Sequence, residues 1–173
     1  MNDTAEVMAL EGDDLETWSA LATVLEWLPA ALDTQLMNDA RLTHFEYGIM
    51  YALATAEERT LRMSVLAGYA NSSLSRLSRA ATRLERKGWV RRSPDPSDGR
   101  STLATLTDEG ETVANATTPG HAALVHQLVL DQLTTAQKRQ LREICLRVLG
   151  GIRDDGGWRP QEISASVTSK AAT

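Results

Sequence analysis

The chain has 173 residues, a formal net charge of −5, 42% hydrophobic residues and one cysteine, Cys145. Such a length suits one hydrophobic core, a lone thiol excludes a disulfide framework or a four-thiolate zinc site, and no apolar run reaches the roughly 18 residues of a membrane span. With no secretory signal in view, these features predict a cytoplasmic globular protein with no membrane association.

Residues 1–14 hold Asp3, Glu6, Glu11, Asp13 and Asp14 and no base, and read as an acidic flexible lead-in. From Leu15 the apolar positions Trp18, Leu21, Leu25, Leu28, Leu32 and Leu36 recur at helical spacing and predict a long first helix over 15–38. Pro29 inside it predicts a kink near Leu25–Leu28. Thr43 with Glu46 three residues on is a capping box, opening a second helix that should end near Thr55. A short third helix from Met63 to Ala70 should bury Met63, Leu66 and Ala67. Asn71, Ser72 and Ser73 then offer cap side chains to a fourth helix reaching Lys87, with Gly88 in the left-handed position beyond it. Two helices so closely spaced make a helix-turn-helix candidate.

Trp89–Ser93 and Arg100–Leu106 are strand-like runs around Pro94-Asp95-Pro96-Ser97-Asp98-Gly99, which predicts a β-hairpin with a six-residue loop. Thr107 can cap a fifth helix with Asp108 and Glu109 in its first turn. Pro119-Gly120 is expected to interrupt or bend it. Thr134 and Gln137 form another capping box, opening a sixth helix with Leu141, Ile144, Cys145, Val148 and Leu149 on one face and Gly150-Gly151 at its end. Cys145 is expected there as an inert buried thiol, and 151–173 as a flexible tail.

The acidic total averages unlike segments. Residues 71–106 carry eight arginines and lysines against three acids, a local +5, and the rest of the chain carries −10. A phosphate backbone meets local charge, because screening at physiological salt limits interactions to about 8 Å. On a helical wheel of the fourth helix, Leu74, Leu77, Ala81 and Leu84 form a core stripe. Ser72, Arg76, Arg79 and Arg83 gather on the other side, with Ser75 at the margin and Ser73 at the cap. Such a face fits the major groove of DNA, where arginine chelates guanine and small hydroxyls bond bases or phosphates. Its bland alternative is a solvated basic surface. In the hairpin, which also carries Arg92, Asp98 stands two residues from Arg100; a carboxylate so placed can orient the guanidinium toward the minor groove. Asp-Gly is equally sufficient as an ordinary turn.

In this order and spacing, the chain resembles the MarR family of winged-helix transcriptional regulators. The resemblance rests on Leu61-Arg62-Met63-Ser64-Val65-Leu66-Ala67, Asn71-Ser72-Ser73-Leu74-Ser75-Arg76-Leu77, Arg83 through Arg92, Asp98-Gly99-Arg100, Leu106-Thr107-Asp108-Glu109-Gly110, Pro119-Gly120-His121 and Leu133-Thr134. It covers about residues 15–150. It implies a mainly α fold with a small β-hairpin wing. A winged helix-turn-helix over 42–106 would be flanked by N- and C-terminal dimerisation helices over 15–38 and 108–150. It further implies a homodimer on a pseudo-palindromic double-stranded DNA operator, with Ser75, Arg76 and Arg79 reading the major groove and Arg100 the minor groove. The apolar faces of the first and sixth helices, longer than a winged-helix core can cover, agree with a dimer; packing of these helices on each other within one subunit is the alternative.

Regulators of this kind often answer to small aromatic or phenolic ligands, for which Trp27, His44, Tyr47, Met50 and Tyr51 are candidates; plain core packing is the competing reading of each. No metal or other cofactor is expected, since His121 and His126 do not share a helix face and His44 and Glu46 align poorly. No nucleophile–base pair, phosphate loop or paired carboxylates suggests an enzyme. The expected function is a sequence-specific, homodimeric repressor released by a ligand. The other reading is a winged-helix protein-interaction module, such as an antirepressor, that does not bind DNA.

Overall fold

A computed structural model describes residues 9–152, with the element order α1 (Gly12–Ala40), α2 (His44–Ala54), β1 (Thr60–Arg62), α3 (Met63–Tyr69), α4 (Leu74–Arg86), β2 (Val90–Asp95), β3 (Asp98–Leu106), α5 (Asp108–Leu128) and α6 (Thr135–Ile152). The strands form an antiparallel sheet in the order β1-β3-β2, with Leu61 opposite Ala104 and Val90 opposite Leu106. This is the expected class: mainly α, with a winged helix-turn-helix set between longer N- and C-terminal helices.

Local chemistry places most boundaries where the sequence predicts them. The Thr43 hydroxyl accepts the Glu46 backbone N–H and the Glu46 carboxylate accepts that of Thr43, closing the capping box of α2, which ends at Thr55. Ser73 caps α4, Thr107 caps α5, and Gly88 takes a φ of +77° just past the α4 C-cap. The turn between α3 and α4 passes through Asn71 at φ +44°, a left-handed position that asparagine tolerates. Leu36, Leu42, Ile49, Met50, Leu53, Leu66, Leu77, Leu84, Val90 and Leu106 fill one core beneath α4 and the sheet.

Several expectations are corrected. Gly12–Asp14, assigned to the lead-in, begin α1, whereas 1–8 and 153–173 lie outside the described residues. β1 was not anticipated; it pairs with β3 through three residues whose sequence has no strand period of its own. The hairpin turn is Pro96-Ser97 alone, because both strands extend into the expected loop and Asp95 pairs with Asp98. α5 is not interrupted at Pro119-Gly120, and α1 stays one helix through Pro29, as a kink there allows. Just ahead of Pro119 the hydroxyls of Thr117 and Thr118 donate to the carbonyls of Val113 and Ala114, each at 2.7 Å. Gly120 is a packing notch and does not end the helix: a Cβ there would stand 3.1 Å from the Asp39 carboxylate of α1. α6 continues through Gly150-Gly151 to Ile152. Leu74 leaves the core stripe and is 56% exposed, while Ala80 joins Leu77, Ala81 and Leu84 inside. Cys145 is exposed on the single chain.

Candidate nucleic-acid interface

The outer face of α4 and the β2–β3 turn form one basic surface whose arginines divide into two kinds. Some are committed to the fold. Arg83 Nε donates to Glu46 Oε1 at 2.6 Å, and Arg92 grips the Glu85 carboxylate at 2.6 Å while donating to Ser78 and Thr82 at 3.3 and 3.0 Å. The Arg76 guanidinium carbon lies over the Phe45 ring, 4.5 Å from its centre, so the head of this exposed residue is stacked on an aromatic face. Arg79 and Arg100 are exposed and have no partner among the described residues. Their guanidiniums are free among the described residues, as are those of Arg86 at the end of α4 and Arg91 in β2.

Between the start of α2 and α4 lies a cleft of about 340 Å³, lined by Asp33, Thr43, Phe45, Arg76, Arg79 and Arg83. Glu46 is only 4% exposed, and burial pushes its carboxyl pKa up. The Thr43 backbone N–H, the Arg83 guanidinium and the Thr43 hydroxyl outweigh that and hold it below its ordinary value. A lowered folded-state pKa means that its stabilisation is complete above the ordinary carboxylate range and is lost as pH falls through the folded value. Glu46→Gln should therefore cost about 1–2 kcal/mol at neutral pH. Urea denaturation at descending pH should show the gap between variant and wild type closing as pH falls below the ordinary carboxylate range; a gap independent of pH would refute this role for the charge.

The hairpin turn is held by two carboxylates. Asp95, 5% exposed, accepts the Ser97 backbone N–H and hydroxyl at 2.8 and 2.7 Å and the Arg62 guanidinium at 2.7 Å. Asp98 accepts the backbone N–H of Arg100 at 3.2 Å and the Ser101 hydroxyl at 2.8 Å. Asp98 thus shapes the turn, and the expected carboxylate–guanidinium contact with Arg100 is replaced by one to its backbone. The brace from Arg62 was missed in the sequence, because it depends on β1 lying beside the hairpin. At the other end of β1, Arg59 grips Asp108 and Glu111 of α5 at 2.8 and 2.5 Å.

The serines are placed differently from one another. Ser73 is the α4 cap, its hydroxyl 3.3 Å from the Arg76 backbone nitrogen and 3.1 Å from the Ser75 hydroxyl. Ser75 is exposed and Ser72 half-buried, its hydroxyl directed at the Ser73 carbonyl at 3.4 Å.

Of the candidate ligand residues, His44, Tyr47 and Tyr51 come together, and His121 of α5 joins them. Ring centres stand 4.7 Å apart for Tyr47 and His121, 5.7 Å for His44 and His121, and 6.1 Å for Tyr47 and Tyr51. Tyr47 also shares a 3.0 Å hydrogen bond with Thr118. Burial lowers the pKa of both histidines, an effect that Asp33 partly offsets at His44 and that His44 reinforces at His121. Burial raises that of Tyr47. Trp27 is 75% exposed on α1 and belongs to no ring contact among the described residues. His121 could not be tied to His44 from sequence, since only the packing of α5 on α2 brings them together. Among the described residues no group of His, Cys, Asp and Glu could hold a metal ion, and no helix is long and apolar enough to cross a membrane.

Residues 42–102 match the family model of the MarR family. Sco3205, a MarR family transcriptional regulator from Streptomyces coelicolor solved in complex with DNA, is 43% identical, with a TM-score of 0.82 over 84% of this chain and 94% of that one. AbsC, a MarR family transcriptional regulator from the same organism, is 29% identical, with a TM-score of 0.81 over 86% of this chain and 99% of that one. The transcriptional repressor MprA of Escherichia coli (strain K12) is 29% identical over 100 residues, 58% of this chain, and the chain spans only 56% of that curated relative. A basic helix and a braced hairpin, on a chain that matches nearly the whole of a regulator solved on DNA, lead to one conclusion: the chain belongs to the MarR family of winged-helix transcriptional regulators, and is not an enzyme.

Proposed function

We propose that the chain is a cytoplasmic, homodimeric repressor that binds a pseudo-palindromic operator and is released by a small aromatic or phenolic ligand. The observation that carries this reading is that Arg79 on α4 and Arg100 beside the hairpin turn hold out guanidiniums with no partner among the described residues, on elements that their neighbours brace. α4 enters the major groove with Ser75, Arg76 and Arg79 toward the bases; Ser72, Ser73 and Arg83 lie toward the backbone, and Arg100 reaches the minor groove. Arg92 and Asp98 act by holding this surface in shape.

Dimerisation is supported by what the single chain leaves wet. Leu15, Trp18, Leu21 and Leu25 of α1 are exposed, as are Ile144, Leu146 and Val148 of α6, and α6 has no buried residue. A two-fold partner would cover these faces, Cys145 with them, and set two α4 helices about one DNA turn apart. The name of the related MprA supports the sign of regulation. For the ligand, the His44–Tyr47–His121 cluster offers stacking faces and polar edges where α2 meets α5; a molecule bound there can bias how α4 is presented. Light scattering should give twice the chain mass of 18.9 kDa. Fluorescence anisotropy on the promoter beside its own gene should show binding that simple benzoates or phenols reverse. A monomeric mass, or no binding to that DNA, would refute the proposal.

A further inference from the structure

We propose that Leu74 is a specificity-determining residue that reads the methyl group of a thymine in each half-site; this rests on the reading of α4 as the major-groove helix. Leu74 falls on the core side of the helical wheel, two turns ahead of the buried Ala81, yet it is 56% exposed. The cause is position. It is the first residue of α4, directly after the Ser73 cap, where the helix runs past the end of the core that covers Leu77, Ala81 and Leu84. Around it stand Ser73, Ser75 and Arg76, all exposed. A branched apolar side chain is thus left exposed on a capped first turn, between hydroxyl and guanidinium residues in the sequence.

The first turn of a recognition helix is the part that comes nearest to base edges. Leucine can neither donate nor accept a hydrogen bond, so over guanine, cytosine or adenine it would strand a polar edge without water. Thymine alone presents an apolar group in the major groove, its C5 methyl. The positive neighbours bring the backbone in, and the arginine and serine side chains leave one base position for which Leu74 has matching chemistry.

Deoxyuridine removes that methyl and keeps every hydrogen-bonding group. Duplexes would first be selected from a random-sequence pool with the full chain, then remade with deoxyuridine at each thymine in turn. Burial of one methyl corresponds to about a fourfold change in affinity, and about fifteenfold when both half-sites are changed. Wild type should lose this much at one thymine per half-site. Leu74→Ala should bind the thymine and uracil duplexes alike at that position, keep any preference elsewhere, and melt at the wild-type temperature because the side chain is exposed. No sensitive thymine in wild type, or the same sensitivity retained in Leu74→Ala, would overturn the proposal. Failure to select any duplex would instead overturn the reading of α4 on which it stands.

Discussion

Replacing Arg79 and Arg100 together by alanine is expected to weaken specific DNA binding by about 1000-fold or more while leaving the fold intact. Each arginine that meets a base edge or the minor groove is worth about 1–3 kcal/mol of discrimination, and in a two-fold complex each substitution is made twice. Neither side chain has a partner among the described residues, so its removal strands no buried charge. The single variants should fail differently. Arg79→Ala should relax sequence preference at one base position in each half-site, whereas Arg100→Ala should act on the flanks, where a narrow minor groove concentrates negative potential. Arg83→Ala is the instructive contrast: its guanidinium also satisfies Glu46, so it should lower the melting temperature together with DNA affinity. Anisotropy titrations over a range of salt, beside thermal melts of the same samples, separate these outcomes. A double variant that binds as wild type would remove α4 and the hairpin turn from the interface.

The second large effect is expected at Gly110. A Cβ there would land on the Trp89 carbonyl oxygen, 2.9 Å from the Trp89 carbonyl carbon and 2.8 Å from a Leu106 methyl. Two of these atoms are backbone and cannot turn away. The same carbonyl accepts the Thr107 N–H at 3.0 Å, and the Thr107 hydroxyl caps α5 through the Gly110 N–H at 3.0 Å. Relieving the clash means lifting α5 off the base of the hairpin, with loss of both contacts. Gly110→Ala should therefore cost about 3 kcal/mol, a large part of a typical domain's stability. Urea denaturation at fixed protein concentration measures this, and Gly99→Ala, where a Cβ would meet open space, is the control expected to stay near wild type. Equal midpoints for the two variants would refute the close approach of α5 to Trp89.

What the sequence reveals of this fold follows from how far each determinant reaches. Thr43 with Glu46, Ser73, Gly88 and Thr107 act on backbone groups within a turn of themselves, so helix starts and stops could be placed from residue type and spacing. Leu74 fails for a geometric reason: a helical wheel gives direction around the axis but not where the supporting core ends. Gly120 reads as a helix breaker until α1 is seen to lie against it. β1 is three residues long and owes its existence to β3, more than forty residues away in the chain. The charged surface shows the same division. Its net sign and its helix were legible, but Arg83, Arg92, Arg79 and Arg100 look alike in sequence. Only Glu46 and Glu85, brought in by folding, distinguish the arginines that build the surface from those left to use it. The −5 of the whole chain is, in that light, a sum over an acidic body and a basic head of which only part is free to bind.

In the proposed complex two copies of α4 occupy successive major grooves on one face of DNA, with the hairpin turns in the adjoining minor grooves. Dimethyl sulfate protection on a selected duplex tests it most directly, because the reagent reports guanine N7 in the major groove and adenine N3 in the minor groove in one experiment. Two clusters of N7 protection about one helical turn apart are expected, flanked by N3 protection that disappears in Arg100→Ala. A single cluster, or N3 protection without any at N7, would contradict it.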